Sequence, residues 1–325
     1  MSGEHSRRDL SNSAGRGANC REFMNATTQL FFYGGLVAYA AFFAGLVLWL
    51  AKLSRKGHPP FPKGEKLLRR PGQHLEERLV AMDEELFNRL MLGLLLPFVI
   101  FWLLLAALAF TPKAHWWWLF LLVLGATVTS IVVRVRSMLA WIKERRNCSL
   151  GLDGERYVAD FLQPLWAKGC VIYHDVPVDR GSSSFNLDHV IVSPSKVYVI
   201  ETKTRSKHAK NDAGEDHKAI FDGTRILWPG GSFDVDSLRQ ADANAQWLRK
   251  WLRDRLALDD VPVQAFVTYP GWWVELTKWQ RDGANPLNPK QIAKAIDLKK
   301  VLDQKTFEQI CKQLDSVCRT ARLPE

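Results

Sequence analysis

The hydrophobic pattern divides the chain into an apolar first part and a mixed second part. Three runs without a charged residue lie within the first 133 residues, at 30–51, 90–110 and 116–133. About 20 consecutive apolar residues cross a bilayer as a helix, so all three runs are predicted to be transmembrane helices. Three consecutive tryptophans open the third run, as expected of an aromatic belt at the membrane interface.

The segments around these runs set the predicted orientation in a cell (inner) membrane. Residues 1–29 form a polar, flexible tail, and residues 52–89 form a basic amphipathic segment with a helix predicted from residue 65 onward. Basic residues are frequent in 52–89 and in 134–146, whereas the connection 111–115 holds one lysine. The positive-inside rule therefore places 52–89 and everything after residue 133 in the cytoplasm, with the N-terminus outside.

From residue 148 the pattern predicts an α/β domain in which helices flank a mixed sheet. Residues 148–260 are expected to form its main body, and a strand and helices in 261–325 to complete it. Helices are predicted at 151–165, 235–258, 289–296 and 304–320, strands at 171–178, 186–193, 196–203 and 263–269, and a short strand pair near 219–228. The expected architecture is thus an α/β domain preceded by an all-α transmembrane region.

The predicted β-hairpin at residues 186–203 contains the main candidate site residues. Pro194 and Ser195 form the predicted turn, and a two-residue loop there places Asp188 opposite Glu201, with Lys203 on the same face. Two carboxylates opposite one another destabilise a sheet unless a cation neutralises them. Oxygen ligands suit Mg²⁺ (or Mn²⁺), which would also hold a phosphate, so the pattern outlines a phosphodiester-cleaving site.

Further candidates lie on the neighbouring helices and loop. Glu155 falls on the inward side of the predicted helix 151–165, where it would bind a metal or simply favour the helix dipole. Gln240 flanks the apolar stripe of the helix 235–258 and carries little weight alone. Three cations that follow the hairpin could steer a phosphate backbone, although such a run is more often a solvated loop: Arg205, Lys207 and Lys210.

Net charge and cysteine content narrow the function less. The chain has 44 Lys and Arg against 34 Asp and Glu, a net charge of +10. Residues 1–149 hold 19 basic and 10 acidic residues, and residues 150–325 hold 25 and 24, so the excess favours membrane orientation over nucleic-acid binding. The five cysteines form no C-x-x-C pair and are read as unpaired thiols in a reducing compartment.

Four motifs resemble the nuclease-related domain (NERD) family of the PD-(D/E)xK nuclease superfamily, over about residues 148–260. They are Gly151-Leu-Asp-Gly-Glu155, Tyr173-His-Asp-Val176, Asn186-Leu-Asp-His-Val190 and Val199-Ile-Glu-Thr-Lys203. The resemblance implies a restriction-endonuclease-like fold. It also implies the catalytic set Glu155, Asp188, Glu201, Lys203 and Gln240, with Asp188, Glu201, Glu155 and the Thr202 carbonyl as metal ligands.

Three functions remain open at this point. The first is a membrane-anchored, Mg²⁺-dependent nuclease acting on nucleic acid, with DNA favoured and a homodimer as one option. The second is a membrane-tethered nucleic-acid-binding or assembly protein that no longer cleaves, which the near-neutral second half favours. The third assigns the main function to the membrane spans, but they lack the ionisable residues that transport pathways need.

Overall fold

The computed structural model describes residues 66–110, 116–179, 184–206, 218–257 and 261–322, together with isolated helical positions between 34 and 49. The chain divides into two units, and every element below belongs to the unit Gly64–Leu323. The first predicted span, 30–51, and the tail 1–29 therefore lie almost wholly outside the described residues.

Two long helices form an antiparallel hairpin. Helix α1 covers Gln73–Phe110 and helix α2 covers Trp116–Leu162, and a short 3₁₀ helix at Gln163–Lys168 extends α2. Ion pairs connect Arg78 with Glu144 and Arg145 with Asp83 across the hairpin. These pairs are solvent-exposed, so they fix the alignment of the helices more than their stability.

The boundaries of these helices differ from the sequence expectation. Residues 66–67 form a strand rather than the start of the helix predicted from residue 65, because they pair with the C-terminal end of the chain. Helix α1 then runs without a break through 90–110. Helix α2 likewise joins the third predicted span, 116–133, to the helix predicted at 151–165. Neither junction contains a proline, so nothing interrupts the helical hydrogen bonds there.

Among the described residues, one helical stretch, Phe120–Lys168, is long and apolar enough to cross a membrane by length and composition. A single stretch of this kind is weak support for membrane insertion. Multi-pass insertion therefore stays a prediction.

The central sheet has five strands: β2 (Val171–Asp179), β3 (Ser184–Val192), β4 (Val197–Thr202), β8 (Val263–Thr268) and β10 (Asn285–Leu287). Their order in the sheet is β10-β8-β4-β3-β2. Strands β2, β3 and β4 are antiparallel, and β8 and β10 pair in parallel beside β4. The β-branched composition of these segments suits a sheet covered on both faces.

A second sheet has four strands: β5 (Lys218–Phe221), β6 (Ile226–Leu227), β7 (Phe233–Asp234) and β9 (Trp273–Leu276). Their order is β7-β6-β5-β9, and this sheet is also mixed. A two-stranded ribbon pairs β1 (Lys66–Leu67) with β11 (Ala321–Arg322). The structure thus has two mixed sheets flanked by helices, which confirms the α/β part of the predicted fold.

Three more helices cover the sheets. They are α3 (Asp236–Leu256), α4 (Pro289–Ala295) and α5 (Gln304–Cys318). Asn288 caps α4 through a capping box, and the Asp303 side chain caps α5, so both helices begin where a short polar side chain can accept a backbone N–H. The apolar stripe predicted on α3 is buried throughout.

The central sheet separates two hydrophobic clusters because strand side chains alternate between its faces. Val197 and Val199 of β4 point into the larger cluster, which contains the buried face of α3. Tyr198 and Ile200 point into the smaller one, which contains Val158 of α2. Glu201 continues the alternation of Val197 and Val199, so its carboxylate emerges at the end of the central strand, toward α3.

Candidate active site

The hairpin β3–β4 has the predicted turn and register. The Ser193 amide donates to the Lys196 carbonyl at 3.0 Å, which closes the two-residue loop at Pro194 and Ser195. The paired residues run from Val192 opposite Val197 to His189 opposite Ile200. One further step in that register brings Asp188 opposite Glu201. The sequence pattern therefore positions the two carboxylates on neighbouring strands.

Glu201 accepts hydrogen bonds from three side chains. It is buried, and its Oε1 accepts from Lys203 Nζ at 2.7 Å and from Gln240 Nε2 at 2.8 Å. Its Oε2 accepts from Asn244 Nδ2 at 2.9 Å. Lys203 Nζ also donates to Gln240 Oε1 at 2.9 Å, so the Lys203 ammonium is held beside Glu201 from two sides.

Asn244 is a site residue that sequence reasoning missed. It lies one helical turn after Gln240 on α3, is buried, and holds the second oxygen of Glu201. The i, i+4 spacing was visible in the sequence, because it places both amides on one side of the helix. Together the two amides orient Glu201 from the same helix.

Asp188 and Glu155 are buried acids whose charged forms are poorly compensated. Burial raises the pKa of Asp188 well above its usual range, and the charges of Glu201 and Glu155 raise it further. The Thr202 amide, which donates to Asp188 Oδ2 at 2.6 Å, opposes this shift. Two acids on adjoining strands thus favour a bound cation over two simultaneous negative charges.

Glu155 belongs to α2, on the inward side that the sequence indicated. Burial raises its pKa to about 7, with the Asp175 and Glu201 carboxylates adding to the shift and His74 opposing it. Its Oε2 is buried without a hydrogen-bond partner, although the Gly72 amide lies near enough to favour the charged form. A buried carboxylate oxygen without a partner is costly unless a cation or water supplies one.

Helix α2 approaches the end of β4 closely at Gly154. A Cβ atom added to Gly154 would lie 2.2 Å from Cγ2 of Thr204, so only glycine allows this packing. The contact explains why a glycine directly precedes Glu155. It fixes the distance between the Glu155 carboxylate and the strand that carries Glu201.

One cleft of about 590 Å³ gathers most of the predicted site residues. Its lining includes Glu155, Asp188, Glu201, Thr202, Lys203 and Gln240, together with His74, Leu75, Gly151, Phe185, Asn186 and Thr204. The Thr202 backbone meets Asp188 through its amide, whereas the sequence expectation concerned its carbonyl.

The predicted phosphate-contacting cations are not among the described lining of this cleft. The guanidinium of Arg205 lies 4.6 Å above the ring of Trp228 and donates to Ser232 Oγ at 2.9 Å, so its described contacts are with the second sheet. Lys207 and Lys210 lie outside the described residues.

The donor chemistry of the cleft fits a hard divalent cation such as Mg²⁺ or Mn²⁺. Three carboxylates lie near one another, two have raised pKa values, and Glu155 Oε2 lacks a partner. Within the described residues, however, no three His, Cys, Asp or Glu side chains converge closely enough to form a ready-made metal centre. The carboxylates would have to turn toward a common point to bind one.

Asp175 is a second group that sequence reasoning passed over, although it lies inside a quoted motif. It is fully buried in β2 with a φ of 50°, and its carboxylate accepts from Arg69, His74 and Asn186. Arg69 and His74 lie about 100 residues earlier in the chain, so no local pattern links them to Asp175. Burial alone would raise the pKa of Asp175, but His74 and Arg69 hold it below its usual value.

The histidines of β2 and β3 form a separate structural pair. His174 lies directly opposite His189, and their Nδ1 atoms are 2.8 Å apart. Burial lowers the pKa of His174 to about 4 and that of His189 well below its usual value. The pair thus forms a neutral hydrogen bond inside the sheet and has a structural role.

Four of the five cysteines lie within the described residues, and all four are free thiols, as expected: Cys148, Cys170, Cys311 and Cys318. No curated protein and no solved structure matches the chain. Residues 150–270 match the family model NERD, nuclease-related domain, which confirms for this part of the chain the resemblance drawn from the four motifs.

Proposed function

We propose that this protein is a metal-dependent nuclease that hydrolyses DNA phosphodiester bonds beside a membrane. The observation that carries the proposal is the cluster of Glu155, Asp188 and Glu201 beside the Lys203 ammonium in one cleft, inside the region that matches the nuclease-related domain. Neutralising three neighbouring acids requires more positive charge than one ammonium supplies, and a divalent cation provides it.

Each side chain has a distinct role in this proposal. Asp188 and Glu201 hold the cation, and Glu155 contributes its unpartnered oxygen directly or through water. When bound, the cation would stabilise negative charge on the phosphate and lower the pKa of a water molecule. Lys203, one-third exposed at the cleft, donates to the phosphate or orients the water. Gln240 and Asn244 position Glu201 and Lys203 from α3.

The exposed surface of the helical hairpin supports the membrane location. Large apolar side chains in the second and third predicted spans are more than half exposed, among them Leu92, Leu103, Leu122 and Val133. Soluble proteins rarely leave so many neighbouring apolar residues in water, whereas lipid covers them without cost. A membrane fraction that retains the protein after alkaline carbonate extraction would support this part, and release into the supernatant would contradict it.

Cleavage by the full-length protein in detergent tests the nuclease proposal. We expect DNA to be cut with Mg²⁺ or Mn²⁺ and not with EDTA, and we expect Glu201→Gln and Lys203→Met to lower the rate at least a hundredfold. Glu155→Gln should also impair cleavage, whereas Asp153→Asn, an exposed acid on the same helix, serves as its matched control. Cleavage at wild-type rates by Glu201→Gln would overturn the assignment.

The near-neutral charge of residues 150–325 favours a second candidate, a tethered nucleic-acid-binding protein that does not cleave. A domain that binds nucleic acid tightly usually carries a clear basic excess, but a protein that only assembles near DNA needs less. The two candidates differ in one result. Binding of labelled DNA without products at any metal concentration, unchanged by Glu201→Gln, supports the second and contradicts the first.

A further inference from the structure

The N-terminal segment before α1 is built into the α/β unit, although it lies outside residues 150–270. Strand β1 pairs with β11, and the Arg69 amide donates to the Cys318 carbonyl at 3.0 Å. Gln73 and Met82 of α1 are buried. The start of α1 is therefore held in a fixed position relative to the sheet.

Asp175 connects this segment to the cleft. Its carboxylate accepts Arg69 Nε at 2.8 Å, the His74 amide at 2.9 Å and Asn186 Nδ2 at 2.7 Å, and it also pairs with His74 Nδ1. A left-handed φ is unfavourable for aspartate and persists only where surrounding contacts impose it. The buried Asp175 carboxylate therefore holds Arg69, His74 and Asn186 in fixed positions around it.

The ring of His74 is oriented by Asp175 and lines the cleft. Its Nδ1 is occupied by Asp175 Oδ1, and its side chain is 37% exposed. Among the described residues, none forms a hydrogen bond or ion pair with the other ring nitrogen, Nε2, which leaves it available to a ligand in the cleft.

We propose that His74 is a substrate-binding residue of the cleft, whose Nε2 contacts a phosphate oxygen of the nucleic acid. This inference rests on the proposed function, and it makes the active site composite: α1 supplies one side chain and the nuclease-related domain supplies the others. Burial lowers the pKa of His74, but the hydrogen bond and charge of Asp175 and the charge of Glu155 outweigh burial and the Arg69 charge, so the pKa is raised. This favours the imidazolium form, in which Nε2 donates a hydrogen bond.

His74→Asn separates substrate contact from structure. The Asn side-chain amide takes the place of Nδ1 and keeps the hydrogen bond to Asp175, but it offers no atom at the position of Nε2. The full-length variant should unfold at nearly the wild-type temperature. Because the variant loses a charge-assisted hydrogen bond, its affinity for a fluorescein-labelled DNA duplex, measured by anisotropy in EDTA, should fall at least about tenfold.

Arg70→Ala is the matched control, because Arg70 lies four residues before His74, is 69% exposed and pairs with Glu76 rather than with Asp175. It should bind DNA like the wild type. For His74→Ala, added imidazole should restore part of the lost binding and cleavage, which a purely structural role would not allow.

The outcomes distinguish this inference from the proposed function. A wild type that cuts DNA while His74→Asn binds and cuts equally well overturns the role of His74 and leaves the nuclease standing. A wild type that binds without cutting overturns the nuclease, while weaker binding by His74→Asn still supports the His74 contact. A wild type that neither binds nor cuts overturns both.

Discussion

Replacing Arg69 with alanine should destabilise the whole α/β unit, although Arg69 lies some 80 residues before the nuclease-related domain. Arg69 donates through Nε and Nη2 to the fully buried Asp175 carboxylate, and its own side chain is only 11% exposed. Removing it leaves a buried negative charge with His74 and Asn186 as its remaining partners.

The expected cost follows from those remaining partners. Breaking a buried ion pair by removing one member costs about 3–5 kcal/mol when the other charge is left alone. Asp175 keeps His74 and Asn186, so about 2–3 kcal/mol is the appropriate figure, which matches the value of hydrogen bonds to a charged group. For a unit of this size each kcal/mol shifts the unfolding temperature by about 2–4 °C, giving a decrease of about 4–12 °C.

Thermal unfolding of the full-length protein, followed by tryptophan fluorescence, measures this decrease. Arg70→Ala is again the control, since an exposed ion pair contributes less than about 1 kcal/mol. Adding Asp175→Asn to Arg69→Ala removes the uncompensated charge and should recover part of the loss.

The pH dependence gives an independent check. Because the folded-state pKa of Asp175 is lowered, its contribution is present above the usual value of 3.8 and is lost as the pH falls through the lowered pKa. The gap between wild type and Arg69→Ala should therefore narrow in acid. If Arg69→Ala and Arg70→Ala unfold at the same temperature at pH 7, the account of Asp175 is wrong.

Two further predictions follow from the geometry around the cleft and the sheet. Gly154→Ala should slow cleavage at least about tenfold, because its Cβ would lie 2.2 Å from Thr204 Cγ2. Gly151→Ala should have a smaller effect, because its Cβ would meet only the end of a leucine side chain at 3.2 Å. Equal cleavage rates for the two variants would contradict the close approach of α2 at Gly154. Lowering the pH from 6.5 to 5 should reduce the free energy of unfolding by up to about 2 kcal/mol for each of His174 and His189, because these histidines take up protons in the unfolded chain but not in the folded pair. His174→Gln should make the free energy of unfolding depend less on pH, and an unchanged dependence would contradict this.

The hairpin was predictable because its determinants are local. Alternating β-branched residues defined β3 and β4, and the Pro194-Ser195 turn set the register that places Asp188 opposite Glu201. The apolar stripe of α3 was equally readable, since helical periodicity alone fixes which residues are buried. In both segments, neighbours within a few residues determine the structure.

The continuity of α1 and α2 was harder to predict from the sequence, because helical periodicity continues from one predicted helix into the next. Nothing in the pattern distinguishes an apolar run that ends at residue 133 from one that continues as an amphipathic helix to Leu162. The start of α1 was misplaced for a different reason: Lys66 and Leu67 form a strand only because Ala321 and Arg322 are available to pair with them. Such pairing across the whole chain has no local signature.

The Asp175 network shows what a motif comparison leaves out. A family motif identifies residues inside the matched region, and the motif Tyr173–Val176 contained Asp175 without assigning it a role. Its partners Arg69 and His74 precede that region, and their contribution depends on the segment before α1 folding against the sheet. If the start of α1 supplies a substrate contact, a fragment that begins at residue 148 would lose His74, and Asp175 would keep Asn186 but lose Arg69 and His74. An inactive or insoluble fragment would then reflect the missing helix, so activity has to be judged on the full chain.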